Sequence, residues 1–217
     1  MSKSESAEGQ YLQFLATAGA VTHHCRGPGG SHSIYVSGEK LRSPCQSIRT
    51  GVYLCGILAE RFVGMCDTRA KRALVIAHEE DLILAILVAH AVVQRYPGKE
   101  VFLFCFGRDT ELALNRQFPF SLSPYTEKDV FVVSNVIHDG GRVDSFIGAV
   151  EESGGNVIAV GALCNYGVRL CRVGAPAIMA LINLPRDGWG DEKICPVCSG
   201  KLILLPPVMD APAGRGE

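Results

Sequence analysis

The stretch that most constrains the fold is Val130 to Val143, which reads Val-Phe-Val-Val-Ser-Asn-Val-Ile-His-Asp-Gly-Gly-Arg-Val. Val130, Phe131, Val132 and Val133, with Val136 beyond them, form a run of β-branched and aromatic residues that predicts a strand buried on both faces of a sheet. Gly140 and Gly141 then turn the chain, and Arg142 to Ser153 has helical apolar spacing until Gly154 and Gly155 stop it. This order of strand, tight loop and helix start puts the loop at the carboxyl end of a parallel strand. Open α/β sheets bind ligands there, and backbone N–H groups at a helix start hold anions. A Gly-Gly pair is equally a plain strand-to-helix turn, with glycine chosen for left-handed φ.

The rest of the chain repeats the alternation. Ala73 to Ala77 reads as a strand, Leu82 to Tyr96 as a helix, Val101 to Phe106 and Val130 to Ser134 as strands, Val157 to Leu163 as a strand, and Ala177 to Ile182 as the last one. Such alternation predicts crossover connections and a mostly parallel sheet flanked by helices. Upstream, Tyr11, Leu12, Leu15 and Ala18 give a helix over Glu8 to Ala18 that Gly19 ends. His23 to Ser31 is a Gly/Pro/His-rich loop, Ser31 to Gly38 is extended with polar flanks, and Ile48, Val52, Cys55, Leu58 and Phe62 carry a helix from about Gln46 to Phe62. Gly107 to Asp129 shows no periodicity, and so long a segment within a compact domain reads as a lid or as disorder.

With 217 residues the chain can bury one full core with a small additional element. Its 21 Lys and Arg nearly balance 22 Asp and Glu, which speaks against a nucleic-acid or membrane surface. No stretch is long and apolar enough to span a bilayer, and Met1 to Gly9 lacks the basic-then-apolar order of a signal peptide, so a cytoplasmic protein is expected. Of the nine cysteines, Cys55, Cys105 and Cys164 lie inside apolar elements, where a thiol behaves as a small hydrophobe. Reduced thiols are expected rather than a disulfide framework.

Val130 to Arg142 resembles the type I phosphoribosyltransferases, in which a hydrophobic strand runs into two acidic residues, two apolar residues and a Thr-Thr-Gly-Gly-Thr-like phosphate loop. The order of elements resembles the orotate phosphoribosyltransferases in particular. Gly19-Ala20 follows the first helix, and Gly30-Ser31-His32-Ser33-Ile34-Tyr35 stands where that family shapes its base pocket. Val173-Gly174-Ala175-Pro176, Cys195-Pro196-Val197-Cys198-Ser199-Gly200 and Pro206-Pro207 match its tail. The resemblance implies an α/β, type I phosphoribosyltransferase-like sheet in a single domain over residues 9–207. A small lobe would come from about 9–45 and 184–207, a mobile loop would span 107–128, and residues 1–8 and 208–217 would be disordered. It also implies a homodimer in pyrimidine nucleotide metabolism that binds a nucleotide or ribose phosphate, uses Mg2+, and transfers a glycosyl group at the ribose anomeric carbon. The alternative is a catalytically inactive paralogue acting as a binding or assembly subunit.

Carried over position by position, the resemblance assigns the ribose to Ser134 and Asn135, and the phosphate to His138, Asp139, Gly140, Gly141 and Arg142. It assigns the pyrophosphate loop to His78, Glu79, Glu80 and Asp81, the leaving-group clamp to Arg108 and Arg116, and the base pocket to His32, Ser33 and Tyr35. The chemistry at these positions departs from the family pattern. Ser134 and Asn135 replace two acids, so they hydrogen-bond a ribose without supplying charge. Asp139 repels a phosphate while Arg142 attracts one. Three carboxylates follow His78 where bare backbone should meet pyrophosphate, although Asp81 also reads as a helix N-cap with Glu79 and Glu80 favouring the helix dipole. Arg108 and Arg116 read equally as solvated surface residues. If His78 to Asp81 and His138-Asp139 share one rim, their imidazoles and carboxylates suit a divalent metal or an acid–base pair. Cys195 and Cys198 read as a reduced structural pair, as half of a Zn2+ site completed by Cys25 with His23 or His24 or by Cys164 and Cys171, or as a redox pair.

Overall fold

Among the described residues two sets of paired strands make up the sheets. One is an antiparallel hairpin of β1 (Val21–Arg26) and β2 (His32–Val36). The other is a sheet of β3 (Arg72–His78), β4 (Glu100–Phe106), β5 (Lys128–Ile137), β6 (Val157–Asn165) and β7 (Ile178–Asn183), in the order β4-β3-β5-β6-β7. Every neighbouring pair in this second sheet is parallel. The computed structural model describes residues 10–13, 15–17, 20–26, 32–36, 48–65, 70–107, 128–170, 174, 176–185, 195–198 and 202. The chain divides into one compact unit of residues 1–40 with 187–217 and a second of residues 41–186, which holds the parallel sheet.

A parallel sheet must be covered on both faces, and the side-chain alternation shows how this one is. Leu74 and Ile76 of β3, Val130 and Val132 of β5, and Val160 and Ala162 of β6 share a buried cluster with Val143, Phe146, Ile147 and Val150 of α3 (Gly141–Glu152). Those helical positions follow the i, i+3, i+4, i+7 spacing of a single apolar face. Gly154, at φ 80°, ends the helix, and the Gly155 N–H closes back on the Val150 carbonyl. Phe131 and Gly161 instead meet Phe62 of α1 (Ile48–Val63), whose ring lies edge-on to Phe131 at 5.0 Å. Next to α1 lies α2 (Leu82–Arg95), which turns Leu84, Ala85, Val88 and Val92 inward.

In the other unit, residues 10–13 and 15–17 are helical, and the Ala20 N–H donates to the Leu15 carbonyl. The loop expected from His23 to Ser31 is corrected at its start, because Val21 to Arg26 is strand. Its polar side chains carry no strand signal, and the conformation comes from pairing with β2, whose register sets His24 opposite Ile34 and Arg26 opposite His32. The strand expected to end at Ser134 also runs further, to Ile137, because β5 keeps pairing with β6 as far as Ile137 opposite Asn165. Ser134 and Asn135 are therefore strand residues. No helix among the described residues is long and apolar enough to cross a membrane.

Candidate functional site

After β3 the chain moves outward to β4, and β5 then takes the place on the other side of β3. The carboxyl ends of β3 and β5 thus flank the point where the connections diverge, which is where open α/β sheets place their ligands. A short 3-10 turn, Glu79–Asp81, leads from β3 into α2, and His138 to Gly140 leads from β5 into α3.

Those two connections bond to each other. Asp81 stands at the N-cap position of α2, yet its side chain makes no capping bond. Its Oδ1 accepts from the Asn135 backbone N–H at 2.9 Å and its Oδ2 from the Ser134 hydroxyl at 3.1 Å. Asn135 Nδ2 donates to the Glu80 carbonyl at 3.4 Å, and Arg142 Nη1 lies 3.3 Å from Glu80 Oε2. His78 is fully buried, and its Nδ1 accepts from the Glu80 N–H. The N-cap alternative for Asp81 is therefore corrected, because the carboxylate spends its lone pairs across the crevice and not on its own helix.

Burial raises the Asp81 pKa above its ordinary value, against the opposing pull of the Asn135 and Ser134 hydrogen bonds and the Arg142 and His78 charges. A carboxyl whose folded pKa is raised favours the folded state most when protonated, so its contribution is present at low pH and is lost as pH rises through the folded value. Asp81→Asn removes that titration. Thermal melts from about pH 4 upward are expected to show the wild type losing stability relative to Asp81→Asn as pH rises, and a constant difference across the range would refute the assignment.

On the β5 side, Gly140 adopts φ 82°, and a Cβ there would lie 2.7 Å from Val168 Cγ1. Asp139 Oδ1 accepts from the Gly141 N–H at 3.0 Å, a carboxylate taking one of the donors that a phosphate would use at the start of α3. A cavity of about 490 Å³ opens at this loop, lined by Ser134, His138, Asp139, Gly141, Arg142 and Ser145 among others. The exposed His138 ring stacks on Tyr166 with centroids 4.6 Å apart, and the Tyr166 N–H donates to the Ile137 carbonyl. Partial burial lowers the His138 pKa, with the Asp139 charge opposing.

The fold is shared with solved structures, three of which are orotate phosphoribosyltransferases. The orotate phosphoribosyltransferase of Mycobacterium tuberculosis in complex with Fe(III) dicitrate aligns with a TM-score of 0.53 and 14% identity over 82% of this chain and 97% of its own. That of Francisella tularensis gives 0.51 and 10% over 80% and 85%, and that of Aeropyrum pernix 0.50 and 16% over 80% and 93%. The fold is that of the type I phosphoribosyltransferases. No protein-family model matches the sequence, and no curated protein does. Identity this low fixes the architecture and leaves the chemistry to be argued from the site.

On the phosphoribosyltransferase fold, residues 78–81 and 134–142 come together, through Asp81 and Glu80 on one side and Ser134, Asn135 and Arg142 on the other. The two histidines play separate parts in it, His78 as a buried acceptor and His138 as an exposed ring. Among the described residues no three His, Cys, Asp or Glu side chains are grouped to hold a metal ion. A divalent cation asks for several oxygen ligands, and Asp81 and Asp139 already serve the chain's own donors, so these residues do not fit Mg2+ as a resident group. Among the described residues Zn2+ finds no support: Cys195 is buried, Cys198 is exposed and no further ligands are grouped with them, while Cys171 and the side chains of His23, His24 and Cys25 lie outside the description. Arg108 and Arg116 lie outside the described residues. His32, Ser33 and Tyr35 lie on β2 of the other unit, and their side chains are also outside the description. Tyr166 was not singled out from the sequence, although its place directly after β6 puts it on the carboxyl rim.

Proposed function

We propose that this protein binds a nucleotide or ribose phosphate on the phosphoribosyltransferase rim at residues 134–146 and does not take phosphoribosyl pyrophosphate as a donor. One observation carries the reading: the crevice at the divergence of β3 and β5 is open on its α3 side, with a cavity of about 490 Å³, and bridged on its β3 side by Asp81. Arg142 and the N–H groups at the α3 start line this cavity and supply one cation and neutral donors, which suits a phosphate monoester on a ribose. Pyrophosphate would have to enter beside Glu79, Glu80 and Asp81. Like charges about 4 Å apart repel by roughly 4 kcal/mol at the effective dielectric of a protein surface, once for each pair so placed. Glycosyl transfer at the ribose anomeric carbon then requires a donor whose leaving group is less charged than pyrophosphate. The resemblance to the orotate phosphoribosyltransferases supports a cytoplasmic homodimer as the working form.

A catalytically inactive binding or assembly subunit is favoured by a different feature. Leu82, Ile83, Ile86 and Val93 of α2, and Phe102 and Leu103 of the edge strand β4, are all more than a third exposed. Large apolar side chains on a helix and on an edge strand mark surfaces that partners cover.

Isothermal titration with uridine monophosphate, ribose 5-phosphate and phosphoribosyl pyrophosphate, each with and without Mg2+, separates the readings. Heat from either of the first two and none from the pyrophosphate is expected. Silence from all three favours the assembly subunit. Turnover of orotate with phosphoribosyl pyrophosphate would overturn both.

A further inference from the structure

We infer that Asp81 is a built-in occupant of an anion seat: its carboxylate fills a donor pair, the Ser134 hydroxyl and the Asn135 backbone N–H, that a carboxylate or phosphate from solution takes once Asp81 is withdrawn. Asp81 is thereby the residue that decides which anions the crevice admits.

The seat exists because of where β3 stops. Pairing between β3 and β5 ends at Ala77 opposite Val133, so from Ser134 onward the β5 edge that faced β3 must find other partners for its backbone. The chain supplies Asp81 from 54 residues away to meet the Asn135 N–H. Ser134 and Asn135 are each more than nine-tenths buried, so water does not readily serve their donors. Three features make Asp81 displaceable. Its side chain does not cap α2, so withdrawing it leaves the helix start unchanged. The Ser134 hydroxyl also lies 3.2 Å from the Val136 carbonyl, a neutral acceptor weaker than a carboxylate, so it stays oriented when Asp81 leaves and turns back to an incoming anion. Burial already disfavours the Asp81 charge, so the bond across the crevice is held against a desolvation cost. The Asn135 N–H is then the donor left in need of an acceptor, and Arg142, about half exposed on the rim, adds an attracting charge for an incoming anion.

The inference rests on the reading of this crevice as the ligand site, and formate as the probe separates the two, because formate binding says nothing about nucleotides. In Asp81→Ala the missing carboxylate leaves a seat of formate size. Thermal melts in sodium formate are expected to raise the midpoint of Asp81→Ala by roughly 3 °C or more over sodium chloride of equal ionic strength, with no such difference for the wild type. Asp81→Asn retains an acceptor in the seat and is expected to show no formate gain, and Asp81→Ala/Ser134→Ala is expected to lose most of it. Ribose 5-phosphate, tested alongside, is expected to bind Asp81→Ala roughly tenfold tighter than the wild type. If Asp81→Ala does not fold in chloride, recovery of its folded fraction on refolding into formate becomes the readout. Equal responses to formate and chloride in Asp81→Ala, or a formate gain that survives in the double variant, would overturn the inference. A formate gain without any binding of ribose 5-phosphate or nucleotide would leave it standing and remove the nucleotide reading instead.

Discussion

Lys99→Met is expected to destabilise the protein by roughly 3–5 kcal/mol, the loss that follows when one partner of a buried ion pair is removed and the other is left charged. Lys99 Nζ lies 2.5 Å from Asp129 Oδ2, and the two residues are 7% and 4% exposed. Lys99 immediately precedes β4 and Asp129 is the second residue of β5, so the bond spans the amino end of the sheet across β3, whose Ala73 pairs with Asp129. The ammonium also lies over the Tyr96 ring at 5.6 Å, a contact worth about 0.5–1 kcal/mol more. Lys99→Met/Asp129→Leu removes both charges while keeping apolar volume, and it is expected to recover most of the loss, because a buried pair offsets its own desolvation with little to spare. Urea unfolding of the two single variants and the double variant closes the cycle. A Lys99→Met loss below about 1 kcal/mol would mean that the pair behaves as a solvated surface contact. This pair sits at the end of the sheet opposite the ligand rim, so affinity for ribose 5-phosphate should follow only the folded fraction.

The contrast between that pair and the core marks what a linear reading of the chain can reach. The continuous apolar runs of β3 and β5 and the Val143, Phe146, Ile147, Val150 face of α3 are local patterns, and the burial of each follows from a period visible within a dozen residues. Their alternation was enough for a parallel α/β sheet. The hairpin strand β1 was hidden because His23, His24 and Cys25 follow no alternation and its conformation depends on pairing with β2. Asn135 looked like the start of a loop because it is polar and follows Ser134, where the expected strand ends. Ser134 and Asn135 remain in the strand because β5 keeps pairing with β6, and on the other edge their donors are satisfied from Asp81 and Glu80, 53 to 55 residues away. Asp81 failed in the converse way. Its position before an apolar helix satisfies the local rule for an N-cap, and the tertiary bond to β5 overrides that rule. The crevice that defines the candidate site is thus legible in its location and largely illegible in its wiring, since location follows from element order and wiring from contacts between distant residues.

Gly161→Ala tests the packing that holds the rim in place, and its expected cost is about 3 kcal/mol, at the upper end for an overpacked core. A Cβ on Gly161 would lie 2.0 Å from Phe62 Cζ and 2.3 Å from Phe62 Cε2, well inside contact distance. Phe62 is fully buried and its ring sits edge-on to Phe131 at 5.0 Å, so moving it off the new methyl group drives it toward a second buried aromatic. Gly161 has an ordinary strand conformation, so the penalty comes from the missing space and not from φ. That origin predicts a specific rescue. Phe62→Leu alone should create a void and lose stability, yet Gly161→Ala/Phe62→Leu should be less destabilised than the sum of the two single variants, since the added methyl group partly fills what the ring vacates. Denaturant unfolding with a shared slope for the single and double variants provides the measure. Strict additivity would place the glycine requirement elsewhere than at Phe62. Because β6 carries Tyr166 to the rim directly after Asn165, a displaced β6 should also disturb the His138–Tyr166 stack. A loss of ribose 5-phosphate affinity in Gly161→Ala beyond its unfolded fraction is therefore expected.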